Sequence, residues 1–104
     1  MVNIIAVTAC PSGVAHTYMA AESLERAAKE KGWSCKVETQ GSIGIENELT
    51  AEDVANADFI ILTNDIGIKN QERFKNKPVA RIAISDAVKK ADLILQKIEE
   101  NLNK

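Results

Sequence analysis

The reading of this chain turns on Cys10-Pro11-Ser12-Gly13-Val14-Ala15-His16-Thr17. The stretch follows the apolar run Ile4-Ile5-Ala6-Val7, which predicts a buried strand over residues 2–8. It precedes residues 18–31, whose spacing predicts a helix. Cys10 is therefore expected where a strand ends, in a short loop leading into a helix N-terminus. Free backbone N–H groups and the helix dipole favour anions there. The same field favours thiolate over thiol, which makes the sulfur a better nucleophile at neutral pH. Pro11 and Gly13 break regularity, and Gly13 allows the backbone to approach a ligand closely.

Working outward, Ala20, Leu24, Ala27, Ala28 and Lys31 share one face of the predicted helix. Glu22, Glu25, Arg26, Lys29 and Glu30 take the wet side, and Gly32 supplies the stop. A second strand is expected over residues 33–39, with Cys35, Val37 and Thr39 alternating against Ser34, Lys36 and Glu38. Gln40-Gly41-Ser42-Ile43-Gly44 reads as a flexible loop. Thr50 is a helix N-cap, followed by acids in the first turn, and that short helix is expected to end by Asn56 or Ala57. Phe59-Ile60-Ile61-Leu62 has the continuous apolar character of a strand buried on both faces. Thr63-Asn64-Asp65-Ile66-Gly67 is then a polar loop. A short helix is expected at 69–74 and a fourth strand within 78–84, where Arg81 suggests an edge. Ser85 and Asp86 start one last helix of about five turns, with Ala87, Ala91, Ile94, Leu95, Ile98 and Leu102 on one face.

This alternation of strand and helix predicts an α/β, Rossmann-like three-layer sandwich: a four-stranded parallel sheet with helices on both faces. Ligand sites in such sheets lie at the strands' C-terminal ends, near a switch in strand order. Residues 10–17, 40–44 and 64–67 would then share one rim. The 104 residues suit a single domain spanning 1–104. A net charge of -2 argues against a nucleic-acid partner. No apolar run approaches the ~20 residues of a membrane span, so direct membrane insertion is not expected. Without a signal-peptide pattern, Cys10 and Cys35 are expected as free thiols in a reducing cytoplasm. A lone His16 and two separated cysteines do not make a structural metal site, and no cofactor motif is present.

Each candidate carries a plain alternative. Cys10 is either a nucleophile or a small buried hydrophobe. His16 either hydrogen-bonds a phosphoryl group or closes the loop. Thr17 is most simply an N-cap whose hydroxyl also faces the anion. Ser12 is a phosphoryl donor or turn chemistry. Asp65 is a general acid or a turn residue, and Gln40, Gly41 and Ser42 are rim positions. Cys35 packs in its strand. Stretch 10–17 has the length of a cysteine-phosphatase loop, but His16 stands where those enzymes place an Arg that grips phosphate bidentately. A site built this way suits holding a phosphoryl group and handing it on rather than hydrolysing it.

The run from Ala9 to Glu22 resembles the signature of the fructose-type enzyme IIB domain of the bacterial phosphoenolpyruvate-dependent sugar phosphotransferase system. Val37-Glu38-Thr39-Gln40-Gly41-Ser42, Asn47-Glu48-Leu49-Thr50, Ala57-Asp58 and, more weakly, Arg73-Phe74 extend the likeness over nearly the whole chain. Ser12, Val14 and Tyr18 are conservative departures. At positions 63 and 64 the family pattern is Ala-Ala, whereas this chain has Thr63-Asn64. The resemblance implies that Cys10 is phosphorylated by a histidine of a IIA partner. It implies that Cys10 passes the group to a sugar held by the membrane IIC transporter. It also implies a cytoplasmic location, at the inner face of the membrane when IIC is engaged, as a free subunit or as a domain of a fused chain. Three rivals are weighed beside it: a small cysteine phosphatase or arsenate-reductase-like hydrolase, a Cys10–Cys35 redox module, and a phosphorylation-sensing regulatory module.

Overall fold

The computed structural model describes residues 2–9, 15–41, 44–75 and 77–102. Strand β1 (Asn3–Ala9) is the centre of the sheet, and Ile4, Ile5, Ala6 and Val7 are all buried. Ile4 and Ala6 face a core built with Ala20, Leu24 and Leu95, while Ile5, Val7 and Ala9 face a second core with Val54 and Phe74. A strand covered on both sides reads as an unbroken apolar run, because neither face needs polar residues. Residues Phe59 and Ile61 against Ile60 and Leu62 divide in the same way along the neighbouring strand.

Chain order gives α1 (Ala15–Glu30), β2 (Ser34–Gly41), β3 (Gly44–Glu46), α2 (Ala51–Asn56), β4 (Phe59–Thr63), a 3-10 turn (Gln71–Phe74), β5 (Val79–Ile82), α3 (Ile84–Lys89) and α4 (Ala91–Leu102). The sheet order is β3-β2-β1-β4-β5. β1 pairs in parallel with β2 and β4, and β4 with β5. The four parallel strands and two helical layers are as expected, and Arg81 does lie on an edge strand. The fifth strand, β3, is antiparallel to β2. It is too short for a period to show in sequence; it begins at Gly44, the last residue of the expected loop 40–44, whose first two residues, Gln40 and Gly41, belong to β2. Gly44 adopts φ +113 on its near side and Asn47 φ +55 on its far side. The Asn47 amide then donates to the Val37 carbonyl at 2.9 Å, tying the hairpin back to β2.

The helix ends follow their capping chemistry. At the end of α1, Gly32 with φ +75 lets the Trp33 N–H reach the Ala28 carbonyl at 2.9 Å. Thr50 caps α2 through a capping box. Its hydroxyl accepts the Asp53 N–H at 3.1 Å, and the Asp53 carboxylate accepts the Thr50 N–H at 2.8 Å. The expected single C-terminal helix is instead two, broken at Lys90 (φ -128, ψ 29). Ser23 of α1 donates its hydroxyl to the Val88 carbonyl at 3.1 Å. A side chain bonding into a helix's carbonyl row is a recognised cause of such breaks. The apolar face nonetheless keeps its composition, with Ala87, Ala91, Leu95 and Ile98 buried and Ile94 and Leu102 packed against them.

Glu38 overturns the expected wet face of β2, because its side chain is wholly buried. That face is covered by α2 and the 3-10 turn, and the Arg73 guanidinium meets the carboxylate with two bonds of 2.8 and 2.7 Å. Thr63 also departs from expectation, being the buried last residue of β4 rather than the start of a loop.

Candidate functional site

Walking along the chain, β1 leads to β2 on one side and later to β4 on the other, so strand order switches at β1. The C-terminal end of β1 is therefore where an open α/β sheet offers a crevice. Cys10 is the next residue in the chain after Ala9, the last residue of β1. Cys10, Pro11, Ser12, Gly13 and Val14 lie outside the described residues, and so does Ser42. What the structure defines is the frame around them.

Buried threonines tie the described residues on either side of positions 10–14. On one side Ala9 donates its N–H to the Thr63 hydroxyl at 2.9 Å, and that hydroxyl donates to the Ala9 carbonyl at 3.3 Å. On the other, the Thr8 hydroxyl donates to the Thr17 carbonyl at 3.1 Å, holding the first turn of α1 against β1. Helix α1 begins at Ala15, so Thr17 sits inside the first turn, wholly buried, rather than at the N-cap. His16 is exposed in that turn. The turn holds no acidic residue of its own at the positive end of this helix of 16 residues. Tyr18 is half exposed and donates its hydroxyl to the Glu46 carboxylate, linking the first turn to β3. That bond, with some desolvation and the charge of Glu46, raises the Tyr18 hydroxyl above its ordinary range.

The expected rim residues lie at neighbouring strand ends, but their side chains are committed. Gln40 is buried at the end of β2. Its amide donates to Glu38 at 2.7 Å and to the Lys69 carbonyl at 3.1 Å, and accepts the Lys69 N–H at 2.9 Å. Asp65, in the loop after β4, accepts the Ile84 N–H at 2.7 Å and so stands in for the missing N-cap side chain of α3. Gly41 closes β2 opposite Gly44.

Below Gln40 lies a polar cluster that residue alternation did not reveal. Glu38 accepts from Arg73, from Gln40 and from the Leu49 N–H at 2.9 Å. Burial alone would raise this carboxyl. The bonds from Arg73, Gln40 and Leu49, with the Arg73 charge, outweigh it and hold the group below the ordinary carboxylate range. The only sequence signal for this cluster was the family-like run containing Glu38 and Gln40, together with Arg73-Phe74. Among the described residues no group of His, Cys, Asp and Glu side chains is arranged to hold a metal ion.

Comparison with known proteins supplies the family to which this frame belongs. Residues 5–97 match the family described as "PTS system, Lactose/Cellobiose specific IIB subunit". The chain is 74% identical to the "PTS system fructose-like EIIB component 2" of Escherichia coli K12, over 98% of this chain and 96% of that protein. It belongs to the fructose-type IIB family. The solution structure of an Escherichia coli K12 Enzyme IIB subunit of the phosphotransferase system superposes on this IIB chain with a TM-score of 0.93. That structure shares 46% identity, over 98% of this chain and 94% of its own. The "Fructose-like PTS system EIIBC component" of Escherichia coli K12 is 48% identical over 95% of this chain, which spans 21% of that longer protein. IIB components are phosphotransferases, and this chain takes a phosphoryl-transfer role in a sugar phosphotransferase system. None of the helices among its described residues is long and apolar enough to cross a membrane.

Proposed function

We propose that Cys10 carries the phosphoryl group between a phosphohistidine of a IIA protein and a fructose-like sugar bound by a membrane IIC transporter. The observation that carries this reading is the position of Cys10 in the chain. It directly follows the strand at the switch in sheet order and lies five residues before a helix whose first turn holds no acid. In the first step the Cys10 thiolate attacks phosphorus in line. The P–N bond of the donor breaks, a P–S bond forms, and the histidine, protonated on its other ring nitrogen, leaves as neutral imidazole. In the second step a sugar hydroxyl attacks, the P–S bond breaks, the thiolate returns, and the hydroxyl proton passes to a base at the sugar site.

Phosphorylation adds about 1.5 to 2 negative charges. The main-chain amides of Pro11's successors Ser12, Gly13, Val14, Ala15, His16 and Thr17, with the Ser12 hydroxyl, are assigned to receive them, and no metal or cofactor is needed. Gln40, Gly41, Ser42 and Asp65 are the rim positions this reading assigns. The contacts of Gln40 and Asp65 support a role in holding loops rather than in touching phosphate. The relative in which B and C occur in one chain supports a IIC partner, and with it a place of work at the cytoplasmic face of the membrane.

The test is transfer of label from phosphoenolpyruvate through the general phosphotransferase proteins and a fructose-type IIA. The wild-type chain is expected to accept one phosphoryl group and to release it to sugar when membranes bearing IIC are added. Turnover of a small phosphate ester without a IIA would instead favour the hydrolase reading.

A further inference from the structure

The last turn of β4 contains an arrangement that the function has not used. The main-chain ladder between β1 and β4 runs from Ile4 opposite Phe59 to Val7 opposite Leu62. On its other side β1 stays paired two residues further, through Thr8 with Thr39 and Ala9 with Gln40. After Thr63 the β4 chain turns away, and the Asn64 N–H goes to the Ile82 carbonyl of β5 at 2.8 Å. The N–H and C=O of Ala9, both directed toward β4, thus lose the partners a longer strand would supply. The Thr63 hydroxyl takes both, accepting from the N–H and donating to the carbonyl.

A hydroxyl is the smallest side-chain group that donates and accepts at once. Thr63 is 2% exposed and Ala9 is fully buried, so water does not compete for these bonds. No apolar residue at position 63 could make them. Ala9 is also the last residue before Cys10.

We propose that Thr63 is a positioning residue for Cys10. Its two-way bond with Ala9 sets the direction in which the chain leaves β1, and so where the sulfur meets an incoming phosphoryl group. This rests on the carrier role given to Cys10 above. The requirement is for the hydroxyl and not for the γ-methyl, and it is particular to this chain, since the family pattern has Ala at position 63.

The test compares the full-length wild-type chain with Thr63→Val, which keeps the shape and loses the hydroxyl, and Thr63→Ser, which keeps the hydroxyl. Two readouts are taken. One is the single-turnover rate of phosphoryl acceptance from phosphorylated IIA over a range of IIA concentrations. The other is the pH profile of Cys10 alkylation by iodoacetamide, followed by peptide mass spectrometry. For Thr63→Val the maximal transfer rate is expected to fall on the order of tenfold. The half-saturating IIA concentration should hold, and the alkylation profile should move to higher pH. Thr63→Ser should stay within about twofold of wild type on both readouts. Wild-type rate and profile in Thr63→Val would overturn the proposal, as would a loss in Thr63→Ser as large as that in Thr63→Val. If Thr63→Val does not fold, Thr63→Ser still decides, because a tenfold loss there assigns the role to the methyl. A wild-type chain that takes no label on Cys10 removes the carrier role and this proposal together. A wild-type chain labelled on Cys10 beside an equally fast Thr63→Val removes only the proposal.

Discussion

Cys35 and Cys10 belong to opposite ends of two neighbouring strands: Cys35 lies near the start of β2, and Cys10 is the next residue in the chain after the end of β1. Cys35 stands at the start of β2, opposite Ile4, and packs against the core shared by α1, α3 and α4. Burial, aided by the nearby Glu25 carboxylate, pushes its thiol up to about 12. An apolar setting of this kind disfavours a thiolate. In the chain Cys10 follows the other end of β1 and precedes α1, and on the proposed reading the amides of that helix N-terminus favour a thiolate. Along β1, the residues from Ile4 to Ala9 separate the two levels by roughly 17 Å at ~3.3 Å per residue. One further peptide step of about 3.8 Å cannot bring Cys10 within the ~7 Å that a disulfide needs. The redox rival fails on that distance.

The comparison can be broken most severely by exchanging the roles of the two thiols. Cys10→Ser should abolish phosphoryl acceptance from phosphorylated IIA, while Cys35→Ala should accept at close to the wild-type rate. Label retained by Cys10→Ser, or lost by Cys35→Ala, would erase the distinction. A gentler probe is alkylation of the native chain at pH 8. With the Cys35 thiol pushed up to about 12 by burial, Cys10 should be the faster of the two to react. Comparable rates at the two sites, measured by peptide mass spectrometry, would show that their surroundings do not separate them.

A third probe loosens the rim without touching either sulfur. Arg73→Leu leaves the Glu38 carboxylate buried and unpaired, and should cost about 3 kcal/mol in urea unfolding at pH 7. Because Glu38 is held below its unfolded value of about 4.3, its contribution is complete above that pH. It is lost as pH falls through the folded-state value. Glu38→Gln should flatten that acid limb of the stability profile. An unchanged limb would mean the cluster is not the acid-sensitive element. The smallest effect is expected at the α2 cap. Thr50→Ala should lower stability by about 1 kcal/mol, a shift of roughly 4–8 °C in Tm for a domain this size. Phosphoryl acceptance should be unaffected. A slowed transfer in Thr50→Ala would show that the rim responds to any loss of stability, and would blunt the contrast between the two thiols.

How far these features could be read from the chain depends on how local their causes are. The apolar runs of β1 and β4, the Gly32 stop and the Thr50 cap each follow from a few adjacent residues, and all appear where expected. β3 is only three residues long and offers no period to read. Beside the Lys90 break the Val88 carbonyl accepts from Ser23, a partner far away in sequence. Glu38 looked wet because its alternation was right but the second covering layer, with Arg73 in it, comes from a distant turn. At the site, the placing of Cys10 between a strand and a helix was legible. The grip of Thr63 on Ala9 was not, since a threonine after an apolar run looks the same whether it ends a strand or opens a loop.

The account's central claim is that the group in transit is held on one sulfur. The most direct measurement is peptide mapping by mass spectrometry after the chain is charged from phosphoenolpyruvate through the general proteins and IIA, and trapped before sugar is added. The account predicts one phosphoryl group, found on the peptide containing Cys10 and bonded to sulfur. A phosphoryl group on His16, on Ser12 or on any other residue, with Cys10 unmodified, would contradict it.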